Sequence, residues 1–183
     1  MTMQIPDHAT FFGQSGWEIL GPQRTFDNRP EPYEVIAHPK LFDPRQFGIT
    51  PIEWGTNCHK GYVHVISIDA SGVQLDQLAV SDEHGKYPPI NGREADSEES
   101  FGVRQYTGLA LPLSFSGAIR IGRAKCDLPA PRYTRPPYTF TEVLDVHFAS
   151  GALDAVYNRS QYFRDFRIRH AEDIAASGRS FLD

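Results

Sequence analysis

Gly61-Tyr-Val-His-Val-Ile-Ser-Ile-Asp69, followed by Ala70-Ser-Gly72 and then Val73-Gln-Leu-Asp-Gln-Leu-Ala-Val80, is the stretch on which the fold reading turns. Its first run is crowded with β-branched and aromatic residues, which suit a pleated, half-buried surface. Asp69 to Gly72 supplies turn chemistry, with Gly72 free to take a positive φ. The third run returns with strand composition, so a β-hairpin is predicted over 61–80.

A second hairpin is predicted further on. Tyr138–Ala149 alternates, with Leu144, Val146 and Phe148 on one side and Val143, Asp145 and His147 on the other. Ser150-Gly151 turns the chain and Leu153–Tyr157 returns. The two hairpins echo each other, since Ala70-Ser-Gly72 precedes Leu75-Asp76 as Ala149-Ser-Gly151 precedes Leu153-Asp154. Shared turn chemistry explains the echo without a repeat architecture. Between them, Leu111 to Ile121 has a period of two. Leu113, Phe115, Gly117, Ile119 and Ile121 fall on one face, and Ser114, Ser116, Ala118 and Arg120 on the other. This predicts one strand with one buried face, Gly117 marking a bulge or close packing. A polar loop over 81–99 and a proline-rich connector over 126–137 join these strands.

The flanks differ from the middle. Residues 1–51 contain seven prolines, Pro6, Pro22, Pro30, Pro32, Pro39, Pro44 and Pro51, which disfavour long helices and central strands. The same segment is dense in apolar side chains, Phe11, Phe12, Trp17, Ile19 and Leu20 among them. That density predicts short strands and turns wrapped onto a core, with one strand at Tyr33–Ala37. In the tail, Phe163, Phe166, His170 and Ile174 recur at helical spacing, Ser160 can serve as N-cap, and Ser177-Gly178 closes the pattern. A helix over 160–176 is expected, with Arg164, Arg167 and Arg169 largely on its solvent side.

Composition fixes the class. The chain has 183 residues, 40% hydrophobic and 22% charged. That is the make-up of one globular domain, 1–183, with enough length for a core of its own. A net charge of −5 argues against a general nucleic-acid binder. No apolar run approaches the roughly 18 residues that span a bilayer, and the first residues lack the pattern of a leader. A cytoplasmic protein without nucleic-acid or membrane partners, its Cys58 and Cys126 reduced, is the expectation. Charge is uneven. Asp82, Glu83, Glu94, Asp96, Glu98 and Glu99 crowd one segment, and Arg120, Arg123, Lys125, Arg132 and Arg135 another. Two solvated loops explain this, as does a charged face that steers a protein partner.

Signatures of chemistry are sparse. The chain contains no phosphate-binding Gly-Lys-Ser/Thr loop, no G-x-G-x-x-G, no G-x-S-x-G, no H-E-x-x-H and no C-x-x-C. Cys58 and His59 adjoin the first predicted strand. A thiolate beside an imidazole is a nucleophile, but neighbours in an extended segment point to opposite faces. Cys58, His59, His64 and Cys126 lack any zinc-ligand spacing, so neither metal nor cofactor is expected. His147 shares a strand face with Asp145, a carboxylate able to orient the ring. If the two hairpins pair in one sheet, Tyr62, His64 and His147 converge, with Cys58 and His59 at the rim, as a ligand site. The tail arginines interleave with Tyr162 and Phe163. The acidic balance of the chain favours reading that helix as a docked cover, not a nucleic-acid element.

Cys58-His-Lys-Gly-Tyr62-Val-His-Val-Ile-Ser-Ile68, Leu75-Asp-Gln-Leu78 and Phe115-Ser-Gly117-Ala-Ile-Arg-Ile121 occur in that order. Over roughly 56–121 the chain resembles an uncharacterised bacterial family with a Gly-Tyr-x-x-x-x-x-Ile strand motif. Lys60 stands where the family has arginine, and Ser67 where it has tryptophan. The resemblance implies a β-rich fold and carries no activity.

The expected fold is mainly β or α+β, an antiparallel twisted sheet or open barrel with one C-terminal helix. The expected function is a non-enzymatic binding or interaction protein, immunity-type or accessory, meeting another protein through its charged loops. The alternative is a small-molecule-binding protein or small enzyme with its site on the concave face of the sheet. Self-association through a strand edge is a third possibility.

Overall fold

The computed structural model describes residues 5–20, 41–96, 102–128 and 136–177. Among them lie strands β1 (His8–Phe11), β2 (Gln14–Leu20), β3 (Tyr62–Asp69), β4 (Gly72–Val80), β5 (Arg104–Tyr106), β6 (Leu111–Pro112), β7 (Gly117–Lys125), β8 (Phe140–Ala149) and β9 (Ala152–Asn158). Helices α1 (Ser160–Arg169) and α2 (Ala171–Ser177) follow. The expected strand at Tyr33–Ala37 lies outside the described residues.

Both expected hairpins form. β3 pairs antiparallel with β4, Asp69 facing Gly72, and β8 with β9, Ala149 facing Ala152. They belong to one sheet of order β5-β4-β3-β1-β2-β7-β8-β9, with β6 added to β4. The fold is β-rich with a C-terminal helix, as the sequence indicates. The sheet is mixed, however, because β1 runs parallel to β3, His8 beside Val65 through Phe11 beside Ile68.

The sheet curls strongly. The Val73 N–H donates to the Gly151 carbonyl at 2.9 Å, and the Gly151 N–H to the Phe115 carbonyl at 2.6 Å. In a flat sheet, β4 and β8 would lie roughly 24 Å apart at about 4.8 Å per strand. Twist alone brings such distant strands together. The two echoing turns therefore meet, although no strand ladder closes the sheet into a barrel. Trp17, Ile19, Ile66, Ile68, Leu75, Ile119, Ile121 and Val146 fill the inside of the curl. On the outer face, Leu20, Phe140 and Val143 pack beneath Phe163, Phe166 and Ile174 of the helices.

Several expectations need correction. The N-terminal segment is not only a wrap, because β1 and β2 sit in the middle of the sheet. Its described prolines fall at margins, Pro6 ahead of β1 and Pro44 opening a 3-10 turn over Pro44–Phe47. The strand expected over 111–121 is broken. β6 ends at Pro112, the Leu113 N–H reaches the Val73 carbonyl, and the new strand starts at Gly117 with φ 137°. Nor does β7 have one solvent face, since Arg120 is buried beneath α1. The helix breaks at His170 (φ −114°, ψ 27°). Arg167 is not a solvent residue either. Its Nη1 donates to the Tyr138 and Phe140 carbonyls at 3.0 and 2.8 Å, tying α1 to the start of β8.

Candidate functional site

Pairing β1 beside β3 places the carboxylate of Asp7, itself buried, against the start of β3. Asp7 Oδ1 accepts the His64 N–H at 3.0 Å and lies 3.1 Å from His64 Nδ1, while Lys60 Nζ reaches Oδ2. The Asp7 carbonyl also accepts the Ile19 N–H at 2.9 Å, so this residue links three strands. Burial alone would raise the carboxyl pKa. The His64 ring and the Lys60 ammonium outweigh it and hold Asp7 well below the usual carboxylate range. The His64 ring lies against Tyr62 and Phe42, and its Nε2 is buried with no partner among the described residues.

A depressed folded-state pKa stabilises the protein above the unfolded value near 3.8, and that stability is lost as the pH falls through the acid range. Asp7→Asn keeps an acceptor for the His64 amide but loses the charge. It is expected to cost about 1–3 kcal/mol at neutral pH, as for a hydrogen bond to a charged group. The deficit should shrink as wild type is titrated below about pH 4, near the ordinary carboxylate value. Urea melts of both proteins from pH 7 to pH 3 check this.

Sequence-derived candidates separate around this cluster. Tyr62 and His64 do come together, their rings stacked at 6.1 Å, and Tyr62 Oη donates to the Phe42 carbonyl at 3.2 Å. Burial and the nearby Asp7 and Asp43 push the Tyr62 hydroxyl up to about 12. Cys58 lies beside them, buried, its Sγ–H donating to the Tyr62 carbonyl at 3.5 Å. Burial pushes its thiol up, the opposite of what a nucleophile needs. His59 points elsewhere and pairs with Glu53 at the surface, Nδ1 to Oε1 2.8 Å. His147 does not converge with Tyr62 and His64. Three strands separate β3 from β8, and the His147 ring packs edge-on against Tyr157 at 5.1 Å. Among the described residues, no three His, Cys, Asp or Glu side chains are placed to hold a metal ion.

Asp145, expected to orient His147, instead joins the sheet to α1. Arg120 Nε and Nη2 donate to its two oxygens at 2.6 and 3.0 Å, and Arg159 Nε adds a third bond at 2.9 Å. The Arg120 guanidinium also lies over the Phe163 ring at 5.2 Å. Arg123 pairs with Glu142 and Lys125 with Glu18. The described bases of the 120–135 segment are thus each matched by an acid on a neighbouring strand. In the acidic segment, Asp82 is turned inward and accepts the N–H groups of Thr50, His84 and Lys86.

Open space occurs on the core-facing side of the sheet, where the β1–β2 turn approaches the start of β8 and the end of β9. A cavity of about 260 Å³ is walled by Phe11, Phe12 and Trp17, by Leu144, and by Gln14, Glu142, Asn158 and Ser160. Phe11 meets Phe12 and Trp17 edge-on at 4.9 and 5.9 Å. Arg123 stacks over the Trp17 ring at 4.7 Å, held there by Glu142 and by Gln14 Oε1 at 2.8 Å. Sequence reading found these aromatics only as apolar density, because no polar motif marks them. No protein-family profile, curated protein or solved structure matches the chain.

Proposed function

We propose that this is a non-enzymatic binding protein whose site is the aromatic cavity on the core-facing side of its sheet. Phe12 carries the reading. Phe11 faces Gln14 across the β1–β2 hairpin, so Phe12 and Gly13 alone form the turn, with φ of 47° and 76°. A two-residue turn with both φ positive favours Asn-Gly or Asp-Gly. A bulky aromatic in the left-handed region is strained, by roughly 1–2 kcal/mol. Phe12 is nonetheless 52% exposed, so burial does not offset the strain. Strain of this kind gathers at ligand clamps, and here it places a bare aromatic ring at the mouth of a cavity walled by two others. The titratable cluster at Asp7, by contrast, satisfies its charges internally and joins strands.

Phe12→Asn is therefore expected to stabilise the protein by about 1 kcal/mol, a rise of roughly 2–4 °C in Tm, while weakening ligand binding. Thermal unfolding with a panel of planar two-ring compounds tests the proposal. A ligand at one hundred times its Kd adds about 2.7 kcal/mol. Hits should stabilise wild type and lose that effect in Phe12→Asn and in Leu144→Trp, which fills the cavity. A panel without hits, or hits indifferent to both substitutions, contradicts it.

A further inference from the structure

The walls of this cavity specify more than shape. Every side-chain acceptor on them already receives a protein N–H. Gln14 Oε1 takes Arg123 Nη1, and the two Glu142 oxygens take Arg123 Nε and Nη2. Asn158 Oδ1 takes the Ser160 N–H at 2.9 Å, and Ser160 Oγ takes the Val143 N–H at 3.0 Å. Donors remain. Trp17 is 2% exposed, and its indole N–H is buried with no acceptor among the described residues. The side-chain amide N–H groups of Gln14 and Asn158 likewise meet no acceptor among the described residues. A buried donor left unsatisfied is costly, so such a wall selects a guest that brings acceptors. Charge gives the complementary restriction. The single cation of the wall, Arg123, is neutralised by the bidentate Glu142, leaving no net charge to attract an ion. At about 260 Å³ the space falls just below the roughly 300–1,000 Å³ of drug-sized pockets, which sets a limit near two fused rings.

Resting on the binding reading above, we infer that the ligand is an uncharged, planar ring system bearing a hydrogen-bond acceptor such as a lactone, lactam or ketone carbonyl. Its ring lies among Phe11, Phe12 and Trp17, and its carbonyl faces the donor side of the wall.

Three probes separate the possibilities in the full-length protein. Coumarin has a carbonyl acceptor and no donor, indole has a donor and no carbonyl, and 2-naphthoate carries a negative charge. The indole 1H–15N resonances of Trp17 and Trp54 are distinguished with Trp54→Phe. Coumarin should move the Trp17 indole proton downfield in a saturable manner and bind about tenfold more tightly than the other two, the ratio expected of one added hydrogen bond. Gln14→Met should reduce that preference. Saturable binding of all three probes with similar affinity overturns the acceptor requirement and leaves the binding reading intact. Tighter binding of naphthoate overturns the neutrality requirement. If none of the three moves the Trp17 resonance in the millimolar range, both inferences fail.

Discussion

Asp145→Ala is expected to destabilise the protein by about 3–5 kcal/mol, the usual result of removing one partner from a buried ion pair. For a chain of this length that is on the order of 10 °C in Tm. Asp145 is 2% exposed and receives three charge-assisted bonds from two arginines. Arg159 can turn toward water, its side chain being 31% exposed, but Arg120 is enclosed between β7, β8 and Phe163 at 10%. Truncation at 145 strands that guanidinium. Arg159→Ala should therefore cost much less, about 1 kcal/mol in line with a part-exposed pair. Arg120→Met combined with Asp145→Leu should recover most of the loss, because apolar replacement of a buried pair is close to neutral. Guanidinium melts of the four proteins check the ordering.

Gly72→Ala should be equally damaging through a different mechanism. Gly72 has φ 118°, and a Cβ built there falls 2.1 Å from the Gly151 carbonyl oxygen, the acceptor for the Val73 amide. Backbone strain alone is worth about 1–3 kcal/mol. The overlap with a main-chain atom adds to it, since no side chain can rotate away. The two hairpin turns must then separate, and the curl of the sheet opens at that end. Gly151→Ala meets the same obstacle, with the Leu113 carbonyl oxygen 2.3 Å from its Cβ. In hydrogen exchange the Val73 and Leu113 amides should lose protection first in both variants. Ala70→Ser, at an exposed position in the same turn, should change stability by no more than about 0.5 kcal/mol.

Legibility in the sequence followed how local each interaction is. The 61–80 and 140–158 hairpins were readable because alternation and turn residues lie side by side in the chain. The amphipathic tail was readable for the same reason, Phe163, Phe166 and Ile174 being on its buried face. The β1–β2 hairpin was not, since Phe12-Gly13 departs from the residues such turns favour. Its parallel partner β3 lies more than forty residues further along the chain. Arg120 and Asp145 occupied polar positions of alternating strands, a pattern identical to that of a solvated face. Only the docking of α1 makes them buried. The echo of Ala70-Ser-Gly72 in Ala149-Ser-Gly151 was visible, but not that the second glycine's carbonyl meets the first turn. At the site, Tyr62, His64 and Cys58 were gathered correctly from one segment, whereas His147 depended on a strand order that local signals do not encode. The cavity escaped because its walls come from three separated segments and combine ordinary aromatics with amides.

Backbone 1H–15N spectra recorded during a coumarin titration test the site assignment most directly. Saturable shifts should concentrate at Phe11 to Trp17, Glu142 to Leu144 and Asn158 to Ser160, the segments that wall the cavity. Shifts centred instead on Asp7, Cys58 and His64 would contradict it and return the site to the buried imidazole.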